Sequence, residues 1–235
     1  MVVKISDNLS KINDTMMRAV RRAGRNPDEI KLIAVTKTVE LKAIKEAVKA
    51  GVRFFGENYV QESEEKIKKI KLPSVKWHFI GHLQKNKAKI AAEQFDMIHS
   101  VDSFGLAKEI NKRASAPVEI LLQVKLVDEK TKGGVSPADV LELAREISGL
   151  KKIVLKGLMA IPPPQDDPER SRPYFTTLRR IAERINKEHI PNVNFTELSM
   201  GMSADYEVAI EEGATMIRIG TALFGERDEP KKGKK

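Results

Sequence analysis

Residues 31–37, Lys31-Leu32-Ile33-Ala34-Val35-Thr36-Lys37, form an apolar alternation that ends on an amine. Leu41-Lys42-Ala43-Ile44-Lys45-Glu46-Ala47-Val48 follows with the spacing of an amphipathic helix. This strand-then-helix unit recurs down the chain. Further strand-like runs fall near residues 53–56, 76–81, 97–101, 118–126, 154–161, 195–200 and 216–219, eight in all. Helical patterns lie between them, as from Ala138 to Ile147, and a helix is the usual crossover between parallel strands. Eight such units in 235 residues predict an α/β fold, a single (β/α)8 TIM-type barrel. An amphipathic helix, about Asp7 to Arg22, stands in front of the first strand. No composition shift or long linker divides the chain, so residues 1–226 read as one barrel domain and 227–235 as a basic, disordered tail. Pattern alone does not show closure, and a doubly wound open sheet has the same alternation.

Cysteine is absent, which excludes a disulfide framework, a thiolate metal site and a cysteine nucleophile. The first residues form no apolar run of signal-peptide length and no later stretch approaches a membrane span, so a soluble, cytoplasmic protein without a membrane partner is expected. Charged residues make up 32% of the chain, a density that suits surface ion pairs of the thermophilic kind. The formal net charge of +9 includes Lys231, Lys232, Lys234 and Lys235 of the tail. Elsewhere the basic residues alternate with glutamates, as in Glu62-Ser63-Glu64-Glu65-Lys66-Ile67-Lys68-Lys69, the pattern of a solvated helix face. No basic and aromatic platform for single-stranded nucleic acid is present, so nucleic acid is not an expected partner, while a small anion suits the charge. The chain is expected to act as a monomer.

Alternation puts Ile33, Val35 and Lys37 on one face of the first strand. Apolar neighbours favour the neutral form of an amine, the form that attacks an aldehyde. Lysine and arginine together number 42, so this segment alone does not decide between a reactive and an ordinary lysine. In a barrel the carboxyl ends of the strands converge on one mouth, and phosphate commonly binds beside the loops after strands seven and eight. The seventh strand runs into Ser199-Met200-Gly201-Met202-Ser203-Ala204-Asp205. There Gly201 allows close backbone approach, and Ser203 is placed to N-cap a helix whose first N–H groups face an anion. Asp205 opposes an anion unless it points away. The eighth strand ends in Arg218-Ile219-Gly220-Thr221, where Met216, Arg218 and Gly220 share one face. The other role open to Arg218 is an ion pair inside the barrel, with Glu197 or Glu57. His78 and His82 are four apart on a strand-like run rather than a helix, so no metal site is expected, and His99 and His189 show no partner pattern. Lys132-Gly133-Gly134 reads as a flexible turn with the means to act as a lid. A lysine, an arginine and two anion-suited loops at one mouth make the constellation expected for pyridoxal 5'-phosphate.

Six runs carry a resemblance. Val35-Thr36-Lys37, Phe55-Gly56-Glu57-Asn58-Tyr59-Val60-Gln61-Glu62, and Trp77-His78-Phe79-Ile80-Gly81-His82-Leu83-Gln84-Lys85-Asn86-Lys87 come first. Gly157-Leu158-Met159-Ala160-Ile161, Leu198-Ser199-Met200-Gly201-Met202-Ser203, and Arg218-Ile219-Gly220-Thr221-Ala222-Leu223-Phe224-Gly225 follow. Together they resemble the pyridoxal phosphate homeostasis protein family, also called the YggS or PROSC family, which has the fold of the N-terminal barrel domain of bacterial alanine racemase. The resemblance implies that pyridoxal 5'-phosphate (PLP) is held as a Schiff base on Lys37, with Arg218 facing the pyridine nitrogen. It puts Ser199, Gly201, Ser203, Gly220 and Thr221 around the phosphate, and Asn58 and Met159 against the ring. It implies a carrier that serves intracellular PLP homeostasis and supplies apo PLP-dependent enzymes, rather than an efficient catalyst. A low-activity amino-acid racemase is the alternative, and a phosphate-sugar or nucleic-acid binding module a third reading.

Two physical points favour the carrier. A fixed cation beside the pyridine nitrogen disfavours its protonation and leaves the ring a poor electron sink. Racemisation also needs a base on the face opposite the lysine, which in racemases of this fold type is a tyrosine from a second domain, and no such domain is expected after strand eight. Tyr59, Tyr174 and Tyr206 read as packing or interface residues.

Overall fold

The strands fall where the apolar runs predict them, as β1 (Lys31–Val35), β2 (Phe54–Glu57), β3 (Lys76–Phe79), β4 (Met97–Val101), β5 (Val118–Gln123), β6 (Ile153–Met159), β7 (Val193–Met202) and β8 (Met216–Ile219). The computed structural model describes residues 4–127 and 133–226. Lys132 of the expected lid and the basic tail after residue 226 lie outside those residues. Each strand pairs in parallel with the next in sequence, and β1 pairs with β8, Ile33 standing opposite Arg218, so the sheet closes into a barrel. Closure removes the open-sheet alternative. The crossover helices are α2 (Leu41–Lys49), α3 (Val60–Lys69), α4 (Ala88–Gln94), α5 (Phe104–Arg113), α6 (Val140–Ser148), α7 (Arg172–Lys187) and α8 (Tyr206–Glu211), with the short α9 (Thr221–Phe224) after β8. Among the described residues no helix is long and apolar enough to cross a membrane.

Strand parity sorts the side chains into two cores. Ile33, Met97, Leu121, Met159 and Met216 point into the barrel and fill it. Their odd-numbered or even-numbered neighbours, such as Ala34, Phe55 and Ile217, point outward and meet the helices. Gly157 of β6 lies so close to β7 that a Cβ there would stand 1.9 Å from the Glu197 carbonyl oxygen, so no other residue fits that point of the wall. The amino end of the barrel is closed by a contact between the Lys31 ammonium and the Glu197 carboxylate, whose second oxygen accepts the Thr215 hydroxyl at 2.7 Å.

The leading helix, α1 (Ile5–Arg22), buries Ile5, Leu9, Ile12, Ala19 and Val20 along one stripe. It packs on α8 and α9. Arg22 pairs with Glu207 and Glu211 of α8, and the Asn8 amide donates to the Leu223 carbonyl at 3.0 Å. Just beyond it, Arg25 donates to the Ile210 and Ala214 carbonyls, satisfying acceptors left open where α8 ends. The N-terminal helix therefore braces the elements that follow β7 and β8.

Two strand ends differ from the sequence reading. The alternation of residues 31–37 is strand only as far as Val35, because Thr38 adopts φ 58 and turns the chain, leaving Lys37 in the turn. The run 118–126 leaves the sheet after Gln123, and Val124 instead bridges to Val135.

Candidate functional site

The carboxyl ends of the strands surround a cavity of about 640 Å³. Of the predicted site residues, Lys37, Asn58, Ser203, Arg218, Gly220 and Thr221 line it. Val35, Ile80 and Ile161 give it an apolar wall, and Glu226, which no sequence motif singled out, stands among its lining. Ser199, Gly201 and Met159 do not line it. Met159 is fully buried in the barrel filling, and Ser199 lies beneath Arg218, because inward-facing residues of one strand sit at successive depths. Gly201, at φ 87, lets α8 lie against β7, since a Cβ there would come within 2.5 Å of the Ala209 Cβ.

Arg218 forms the floor. Its guanidinium donates through Nη1 to the Ser199 hydroxyl at 2.7 Å and through Nη2 to the Ala160 carbonyl at 2.9 Å. Neither expected carboxylate reaches it, for Glu57 is bound by Lys66 and Glu197 by Lys31. Burial pushes the Arg218 guanidinium down to about 10, with Asp205 partly opposing the shift.

A hydrogen-bonded chain continues from the floor across the barrel. Ser199 Oγ lies 2.9 Å from His99 Nδ1, and His99 Nε2 lies 2.9 Å from His78 Nδ1. An arginine can only donate, so Ser199 accepts from it and has its own proton to give. His99 Nδ1 is the acceptor in reach, which leaves the proton of His99 on Nε2, directed at His78 Nδ1. Both rings are thereby neutral, and burial agrees, pushing His78 down to about 4 and His99 well below the ordinary histidine range. No sequence pattern pairs His99 with a partner. Parity on β4 aims it inward with Met97, but its partners are 21 and 100 residues away.

The loops after β7 and β8 are tied together. The Ser203 hydroxyl accepts the Ala222 N–H at 3.3 Å, joining the loop after β7 to the start of α9, which Thr221 opens. Ser203 is not the N-cap of α8, because that helix starts at Tyr206 with Asp205 in the capping position. The Asp205 carboxylate accepts the Met202 N–H at 2.7 Å. A second cavity of about 580 Å³, with His82, Gln123 and Lys125 in its lining, shares Asn58, Ile80 and Ile161 with the first. Asn58 Oδ1 is buried without a hydrogen-bond partner. None of Tyr59, Tyr174 and Tyr206 lines the main cavity. Among the described residues no three His, Cys, Asp or Glu side chains are grouped to hold a metal ion.

An amine after β1, a donor-only guanidinium on β8, hydroxyls after β7 and β8 and an open acceptor at Asn58 fit a ligand with an electrophilic carbon, a ring acceptor, an anionic group and a hydroxyl donor. Fold and site together define a barrel of the alanine racemase N-terminal domain type, and the family model of that description matches residues 8–228. Within it, the chain belongs to the pyridoxal phosphate homeostasis protein family. It is 42% identical over 236 residues to the pyridoxal phosphate homeostasis protein of Escherichia coli K12, a match over 97% of this chain and 99% of that one. PipY of Synechococcus elongatus, solved with PLP bound, is 39% identical and superposes with a TM-score of 0.83 over 94% of this chain and 100% of that one. Alanine racemase of Corynebacterium glutamicum, at 16% identity and TM-score 0.70 over 99% of this chain and 63% of that one, shares the fold.

Proposed function

We propose that this protein binds pyridoxal 5'-phosphate at the barrel mouth, holds it on Lys37 as a Schiff base, and serves cellular PLP homeostasis by handing it to apo-enzymes without efficient catalysis. The observation that carries the reading is the meeting of Lys37, Arg218, Ser203 and Thr221 in one cavity. PLP supplies an aldehyde, which condenses with an amine to a C=N bond with loss of one water, and a pyridine ring that draws electrons when protonated. Lys37 is the amine at that mouth. Ser203, Gly220 and Thr221 would hold the phosphate, and Asn58 Oδ1 would accept from the ring hydroxyl. Arg218 would donate to the ring nitrogen and has no proton acceptor to offer, so it opposes ring protonation and with it carbanion chemistry. The positions of the three tyrosines support the same reading, since none is at hand as a base opposite the lysine. A cytoplasmic monomer with apo PLP-dependent enzymes as partners completes the proposal.

The test is absorbance before and after borohydride on the purified, PLP-loaded protein, followed by mapping of the labelled peptide. The expected label is on Lys37, and Lys37→Ala should lose the visible band while its circular dichroism is unchanged. A label on another lysine overturns the assignment. Racemisation of L-alanine at about 1–10³ s⁻¹, as in ordinary enzymes, would replace the carrier by the racemase.

A further inference from the structure

We infer that Glu62 and Lys66 of α3 are positioning residues for Lys37, holding both peptide groups that flank it so that its side chain enters the cavity. The inference rests on the reading of Lys37 as the covalent site. Lys66 Nζ donates to the Thr36 carbonyl oxygen at 2.6 Å, and Glu62 Oε1 accepts the Thr38 N–H at 2.7 Å. The first contact holds the peptide plane before the Lys37 Cα and the second the plane after it. With both planes held, the two backbone torsions of Lys37 are set, and the direction of its Cα–Cβ bond follows.

The two contacts belong to one unit. Lys66 Nζ also donates to the same Glu62 oxygen at 2.6 Å and to Glu57 Oε1 at 2.9 Å, so the three donors of its ammonium meet three acceptors. The Thr36 hydroxyl donates to Glu57 Oε1 at 2.6 Å, adding a further bond to the residue before Lys37. Spacing of four along α3 brings Glu62 and Lys66 to one face. The held segment is one that needs holding, since Thr38 adopts φ 58, which a β-branched residue disfavours. Neither Glu62 nor Lys66 lines the cavity; Glu62 reaches it through the Thr38 N–H, and Lys66 through the Thr36 carbonyl and through Glu57, the neighbour of the lining residue Asn58. Condensation of an amine with an aldehyde requires near-attack geometry, and small displacements weaken it strongly.

Two ligands separate this role from a structural one. PLP can react with Lys37, whereas pyridoxine 5'-phosphate keeps the ring and phosphate but has an alcohol in place of the aldehyde. Their dissociation constants are measured with the full-length protein, with Glu62→Ala, and with Lys66→Met/Glu57→Gln, which removes the buried charges together so that the fold is kept. The expected result is about a tenfold or greater loss of PLP affinity in both variants, the size of one charge-assisted hydrogen bond, with pyridoxine 5'-phosphate affinity held within about twofold. Equal losses for the two ligands, or no loss for either, would overturn the positioning role while leaving the PLP reading intact. Equal affinity of the unmodified protein for the two ligands, or binding of neither, would instead sink the covalent reading on which the inference stands.

Discussion

Around Lys37 the supporting groups are charged. Lys66 lies among the carboxylates of Glu57 and Glu62, and burial still pushes the Glu57 carboxyl upward against the pull of that ammonium. Beneath Arg218 the supporting groups are neutral, a hydroxyl, a peptide carbonyl and two uncharged imidazoles. Both sets hold a cationic side-chain residue at one cavity, and the difference lies in where the field goes. One ammonium between two carboxylates leaves a net charge of −1 (+1 − 2) on groups outside the cavity lining, so the Lys37 wall gains rigidity from them and no added positive charge. A guanidinium held by neutral acceptors keeps its full charge, and the cavity receives it. The wall is built to orient and the floor to polarise.

That contrast can be broken at the wall with the largest effect. Lys66→Met leaves Glu57 buried without its cation and should destabilise the protein by about 3–5 kcal/mol, read from urea unfolding. Adding Glu57→Gln should recover most of the loss. Failure of the second substitution to help would mean that Lys66 acts through packing rather than charge.

Acid should break the floor next. His78 has its pKa lowered on folding, from the usual 6.5 to about 4, so the unfolded chain takes up its proton first as pH falls. The stability linked to its neutral form is present above pH 6.5 and is lost as pH falls to 4, on the order of 3 kcal/mol for this one ring. Urea midpoints followed from pH 7 to pH 4 should fall less steeply in His78→Phe than in the unmodified protein. Parallel curves would show that His78 is not the titrating group. The smallest effect is expected at Ser199→Ala, which removes one acceptor from Arg218 and costs about 1.5–3 kcal/mol. If Arg218 draws on a neutral acceptor as described, Ser199→Asp, which offers it a counterion, should weaken PLP binding more than Ser199→Ala does. Calorimetric titration of the two variants decides this.

The sequence made the barrel legible because strand period and helix period differ and each recurs eight times. Lys37 and Arg218 were legible because they stand at strand ends with glycine, serine or threonine close by. Depth was not legible. Parity tells which way Met159 and Ser199 point but not that they lie below the cavity floor, since depth depends on register across β6, β7 and β8, and both pairings shift register along their length. Ser203 and Asp205 are both good N-cap residues, so choosing between them needed the helix start. His99 was invisible as a site because its chain of contacts joins β3, β4 and β7, and no local motif encodes a contact across 100 residues.

The bracing of α8 and α9 by α1 has a consequence for synthesis. The Asn8 amide and its acceptor at Leu223 are separated by 215 residues, and Arg25 and its acceptor at Ala214 by 189. A ribosome delivers Lys37 long before Arg218, Gly220 or Thr221. Until the last strand emerges, the leading helix has no surface to cover, the first strand has an open edge, and the Lys37 amine lacks the Arg218 floor and the loops after β7 and β8. A growing chain therefore cannot trap the ligand in its finished pocket. The pocket is finished only once β8 and α9 have emerged, and α1, made before them, is among the last elements to reach its place.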